Sequence, residues 1–163
     1  MKGSKEAAKF KSLYCEAVDP SYGEIQLCEL KAINRSISVI NFSYYLKGTI
    51  KGSKIQVQFL KRNNGWHPFL YDIQFDTCDL IEKNKPYLAN LLFSYVKPFM
   101  NINRTCPKPN FVVQLKNYQF DFDGFHKRFP VESGEYGIIV NVLYGSEKKF
   151  SGNATLMYSN YRE

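Results

Sequence analysis

"FLYDIQFD", residues 69–76, alternates strictly. Phe69, Tyr71, Ile73 and Phe75 fall on one side, and Asp72, Gln74 and Asp76 fall on the other. Period two is the geometry of an extended strand, whose successive side chains point to opposite faces; a helix would scatter the same residues around its axis. The pattern recurs. "KIQVQFLK" (54–61) aligns Ile55, Val57 and Phe59, and "EYGIIVNVLYG" (135–145) aligns Tyr136, Ile138, Val140, Val142 and Tyr144. Weaker versions over about 10–16, 24–31, 36–47, 111–122 and 149–158 bring the expectation to some eight strands.

Turn chemistry punctuates these runs. "DPSYG" (19–23), "KGTIKGS" (47–53), "NNGWHP" (63–68) and "YGSEKK" (144–149) supply the Gly, Pro, Asn and Asp that tight connections need. Short connections imply antiparallel neighbours, so the expected fold is an all-β antiparallel sandwich or cup with one helix. That helix is expected at about 84–98. In "NKPYLANLLFSYVKPFM" (84–100), Leu88, Leu91, Leu92, Tyr95 and Phe99 recur at helical spacing, with Asn84 placed to cap the start and Pro98 to limit the end. Residues 1–9 are expected to form a flexible N-terminal segment and 10–163 a single domain.

Composition narrows the class. The 163-residue chain has room for one sizeable core, and no window is apolar for long enough to cross a membrane as a helix. Aromatic residues make up 16% of it, which suits a pleated interior. The net charge of +7 is scattered over turns and termini (KGTIKGSK, LKR, SEKK) with no basic-aromatic interleaving, so a nucleic-acid surface is not expected.

Cys15, Cys28, Cys78 and Cys106 form no C-x-x-C, and His67 and His126 stand apart from them, so no metal site is expected. Four cysteines allow three pairings. The expected one is Cys15–Cys28 with Cys78–Cys106, because each pair brackets a single local excursion of the chain. Four buried free thiols in a cytosolic protein are the competing reading. The sequons weigh against it: Asn34, Asn41, Asn103 and Asn153 each open an N-x-S/T, where chance composition predicts roughly 1.3 such sites. Paired cysteines and surplus sequons point to secretion. "MKGSKEAAKF" lacks the pattern of a signal peptide, so a mature form or an unrecorded leader is implied.

Catalytic signatures are scarce. The chain contains no G-x-S-x-G, no P-loop and no G-x-G-x-x-G. Asp72, Asp76 and Asp79 crowd around Cys78, and Asp121 neighbours Asp123, but acidic residues at alternating strand positions read first as the wet face of a sheet. An enzyme and a cofactor are not expected.

Four blocks carry a family resemblance: "LYCEAVDPSY" (13–22), "CELKAINRS" (28–36), "NGWHPFLYDIQFDTC" (64–78) and "NRTCP" (103–107). Together they resemble a large insect family of small secreted proteins, expanded in flies and carried as a domain of unknown function. That family is related to the chemosensory CheB proteins and to the ganglioside-activator and ML lipid-recognition sandwiches. The resemblance implies an immunoglobulin-like cup, with Cys15, Cys28, Cys78 and Cys106 at the family's cysteines and Asn34 and Asn103 within its sequon-bearing blocks. Lipids or hydrocarbon-like molecules are the implied ligands, and a membrane receptor is a further partner.

The resemblance supplies no ligand-contact motif, so candidate pocket residues come from periodicity: Phe59, Tyr71, Phe75, Ile138 and Val140 on the strands, and Leu91, Leu92 and Tyr95 on the helix. The expected function is a secreted, non-enzymatic binding protein for a lipid or other apolar small molecule, with a chemosensory role. The alternative is an extracellular protein-interaction module whose core is fully packed.

Overall fold

The structure, a computed structural model, describes residues 6–35, 37–120, 122–128 and 130–160. Its strands are β1 (Glu6–Glu16), β2 (Gly23–Ala32), β3 (Ser38–Leu46), β4 (Lys54–Arg62), β5 (Trp66–Asp76), β6 (Phe111–Tyr118), β7 (Gly134–Tyr144) and β8 (Glu147–Asn160). They form two antiparallel sheets, one of five strands in the order β1-β8-β7-β4-β5 and one of three in the order β2-β3-β6. The all-β sandwich expected from alternation is what forms. β1 starts at Glu6, paired with Asn160, so residues 6–9 belong to the sheet and not to a flexible leader; residues 1–5 lie outside the described residues.

Two of the expected hairpins are something else. β4–β5 and β7–β8 are true hairpins, the latter closing through Gly145 at φ 64° between Tyr144 and Glu147. The segments 19–23 and 47–53, however, carry the chain from one sheet to the other, because β1 pairs with β8 and β4 with β5 and β7. Turn residues specify that the chain reverses, not which hydrogen-bonding edge it rejoins.

The first crossing is braced in three ways. Cys15–Cys28 links β1 to β2 and therefore sheet to sheet, with Cα atoms 6.3 Å apart. Asp19 accepts hydrogen bonds from the Ser21 N–H and hydroxyl, closing the turn. Lys149 of β8 donates to Asp19 at 2.8 Å, while the Asp19 N–H donates to the Lys149 carbonyl.

Between the sheets the core is aromatic. Phe42 and Tyr44 of β3 meet the edge of the Phe150 ring of β8, and Phe10 of β1 meets Tyr118 of β6. Leu46, 1% exposed, packs with Tyr22 and Tyr44 at one end of the sandwich. At the other end Tyr158, fully buried, packs with Tyr136.

The expected helix over 84–98 is replaced by shorter pieces. α1 (Thr77–Lys83) is N-capped by Asp76, whose carboxylate accepts from the Asp79 N–H, and it ends at Asn84 in the left-handed region at φ 55°. Asn84 therefore closes one helix instead of opening another. Pro86 precedes α2 (Tyr87–Phe93), and a 3₁₀ turn follows at Lys97–Phe99. α1 continues directly from β5, held where the Thr77 N–H donates to the Ser53 carbonyl at 3.1 Å. A further helix, α3 (Phe122–Arg128), follows β6. The sequence did carry a signal for α1: Asp76-Thr-Cys-Asp79 before "LIEK" is an N-cap pattern with an Asp79–Lys83 pair one turn on.

Cys78–Cys106 closes the loop that carries α1, α2 and the 3₁₀ turn, so both expected pairings form. The two bridges differ in what they join, and their removal should differ accordingly. Replacing Cys15 and Cys28 with alanine should lower unfolding free energy by about 3 kcal/mol in a denaturant titration. The same change at Cys78 and Cys106 should also lower stability, but proteolysis should then first cut within 84–105 while the sheets persist.

Asp19 titrates usefully as well. Its hydrogen bond from Lys149, aided by Ser21, pulls its pKa from 3.8 down to about 2. The folded value is the lower one, so this contribution is present above the ordinary aspartate range and is lost as pH falls toward about 2. The Asp19→Asn variant should show a shallower loss of stability across that acid window, read from midpoints of thermal unfolding.

Candidate functional site

The inner face of the five-stranded sheet is set by register. Ile55 opposes Val142, Val57 opposes Val140, and Phe59 opposes Ile138. On the other flank of β4, Ile55 opposes Phe75 and Val57 opposes Ile73. The opposite face sets polar residues beside Leu60, Ile139 and Leu143. Gln56 and Gln58 both donate to the Asp72 carboxylate, and Asn141 donates to Gln56. Of the acidic group singled out by sequence, Asp72 thus belongs to this wet network, Asp76 caps α1, and Asp79 pairs with Lys83. The side chains of Asp121 and Asp123 lie outside the described residues.

Inner-face residues at the centre of a closed sandwich are ordinarily buried. Here Ile55, Val57, Phe59, Tyr71, Ile73, Ile138, Val140 and Val142 are all half-buried. The cause is coverage. The aromatic contacts from β3 and β6 fall on β1 and β8, and Tyr44 and Leu46 reach as far as Val142. Among the described residues, no core cluster joins β4 or β5 to a strand of the smaller sheet. α1 and α2 cover them in part: Leu80 and Ala89 bury Phe75, and Ile55, Val57, Ile73 and Phe93 pack against that cluster.

The sequence-derived pocket candidates therefore divide. Phe59, Tyr71, Ile138 and Val140 share the half-covered inner face, with the rings of Phe59 and Tyr71 6.4 Å apart, edge to face. Phe75 is part of a closed cluster, buried to 9% exposure, and serves as core. Leu91 and Leu92 are half-buried on α2, but Ala89 and Phe93 are the α2 residues that meet the sheet-facing cluster. Tyr95 lies beyond the end of α2, where its ring meets Phe120 and Phe125. The expected single helical stripe does not exist, because the helix ends at Phe93.

Several residues of this region were missed by sequence reasoning. Phe120 also packs with the group containing Tyr136, Tyr158 and Phe69, which joins the Tyr95 ring group to the end of the five-stranded sheet. Lys61 is the next inner-face residue of β4 after Phe59, opposite Tyr136. Its Nζ lies 5.9 Å from the centre of the Phe69 ring and 5.5 Å from that of Tyr136, and 2.7 Å from the Glu132 carboxylate. That carboxylate holds the Lys61 pKa above its ordinary value, and the ammonium holds Glu132 below its own. The signal for Lys61 was present: one more step of the alternation in "KIQVQFLK" puts it on the apolar face.

A cleft bordered by Phe10, Ser38, Phe120 and Leu156 has a volume of about 30 Å³. That is room for about one water molecule. Among the described residues, no group of His, Cys, Asp and Glu gathers as a metal site, and no helix is long and apolar enough to cross a membrane. No curated protein matches the chain. Residues 55–138, which run from β4 to the first half of β7 and contain Phe59, Lys61, Tyr71, Tyr95, Phe120 and Glu132, match the family described as protein of unknown function (DUF1091); they make up just over half of the chain, which therefore belongs to that family.

Proposed function

We propose that this protein is a secreted, non-enzymatic binding protein for a lipid or other apolar small molecule. The observation that carries the reading is the half-covered apolar row of Phe59, Tyr71, Ile138 and Val140 on the inner face of the larger sheet. A half-buried apolar row gains from further burial. Each CH₂ of a ligand chain laid against it contributes about 0.8 kcal/mol, so a modest acyl or hydrocarbon chain reaches useful affinity. Secretion is supported by the two disulfides and by the surplus of sequons. The chemosensory role and the link to the CheB and ML groups rest on the block resemblance, and a membrane receptor is the partner such a carrier would deliver to.

A second reading, a packed extracellular interaction module, draws on two other observations. The cleft bordered by Phe10, Ser38, Phe120 and Leu156 is only about 30 Å³. At the β4–β5 hairpin, Trp66 and Leu70 stand 37% and 50% exposed, apolar surface suited to a protein partner.

Native mass spectrometry of the protein secreted from insect cells separates the two. The first reading expects a co-purifying apolar mass, and uptake of a fluorescent fatty acid by the delipidated protein. A clean apo mass with no uptake supports the second.

Glycan occupancy provides a further check. Asn103 is exposed in the loop ahead of Cys106, whereas Asn41 on the middle strand of its sheet donates to Glu29 and accepts from the Asn117 N–H. A glycan on Asn41 would replace one of the Nδ2 hydrogens and crowd the contact that this nitrogen makes with Glu29 on the neighbouring strand. Asn103→Gln should remove one glycan increment from the secreted mass, and Asn41→Gln should leave it unchanged.

A further inference from the structure

An amino-acid side chain with a fixed charge is out of place on an apolar sheet face unless something holds it there. Lys61 follows Ile55, Val57 and Phe59 on the inner face of β4, and its side chain is only 23% exposed. Two aromatic faces, those of Phe69 and Tyr136, attract its ammonium. Its one ion-pair partner among the described residues is Glu132, 76% exposed, in the segment between α3 and β7. Lys61 is thus built in by the sheet, while Glu132 reaches it from the rim.

That asymmetry points to a head-group site at the end of the apolar row. Tyr136 fixes the surroundings: its hydroxyl donates to the Glu132 carbonyl, so the backbone of the rim segment stays against the sheet even when the Glu132 carboxylate turns away. Building on the apolar-ligand reading above, we infer that the half-buried row ending at Lys61 forms a trough that selects a single-chain amphipath with a carboxylate head. The carboxylate takes the place of Glu132 on Lys61, and the chain lies over Phe59, Ile138 and Val140. Carboxylate for carboxylate leaves the charge at Lys61 unchanged. A dianionic phosphate head would place an uncompensated charge beside the Phe69 and Tyr136 rings, and a neutral head would make no ion pair. Rim-exposed Glu132 regains water when displaced, so the exchange costs little desolvation.

The test compares oleic acid with oleyl alcohol, which share one chain and differ in the head, by equilibrium dialysis at neutral pH. Wild-type protein should hold the acid about tenfold more tightly than the alcohol, the scale of one charge-assisted contact in a partly buried site. Lys61→Met should erase that preference by weakening the acid alone. Glu132→Gln should strengthen the acid, since it removes the competing carboxylate, and should leave the alcohol unchanged. Equal wild-type affinity for both, or a preference that survives Lys61→Met, overturns the head-group assignment while leaving the apolar trough intact. If neither ligand binds the wild-type protein, the trough reading itself fails. Thermal unfolding checks that each variant is folded; should Lys61→Met not fold, unchanged or weaker acid binding by Glu132→Gln is the overturning result.

Discussion

A five-stranded sheet facing a three-stranded one leaves two strands without a partner opposite, roughly 10 Å of inner surface at the usual strand spacing. The mismatch governs the rest of the architecture. On the β1–β8 side the two sheets meet directly, and rings from both interlock: Phe150 with Phe42 and Tyr44, and Phe10 with Tyr118. On the β4–β5 side the apolar face must be covered by other means. The segment between β5 and β6 serves this purpose by placing α1 and α2 over Phe75, Ile55 and Ile73. Two seven-residue helices cover less than two full strands would, and Phe59, Ile138 and Val140 are half-buried.

The disulfides fit this division. One spans the seam between sheets at the first crossing, where an arch has few backbone bonds of its own. The other holds the covering segment to the loop before β6. Both act where ladder hydrogen bonds do not reach. An isolated seven-residue helix is unstable in water, and α1 depends on its Asp76 cap, its junction with Ser53 and the Cys78 bridge to remain in place. The covering elements are therefore less firmly held than the sheets.

Alternation made the strands and their inner faces legible, and the cysteine spacing made the bridges legible, since both are local patterns. The failures were of two kinds. The helix expected over 84–98 forms only over Tyr87–Phe93: Asn84 in the left-handed region closes α1, α2 starts after Pro86, and the chain leaves the helix before Tyr95 can join the stripe of Leu88, Leu91 and Leu92. The crossings at 19–23 and 47–53 were drawn as hairpins because a turn of that composition is equally compatible with a hairpin or an arch.

The sequence by itself determined that this is a disulfide-braced β protein with one apolar and one wet face on its main strands, because a two-residue period needs nothing beyond the strand's own geometry. Only the tertiary structure decided which strands share a sheet, how much of the apolar face is left uncovered, and that Lys61 sits at its end. Those outcomes depend on partners far along the chain. β1 pairs with β8 near the opposite terminus, and Glu132 comes to Lys61 across 71 residues. No local pattern encodes which distant edge or carboxylate will satisfy a given backbone or charge; the packing of the two unequal sheets does.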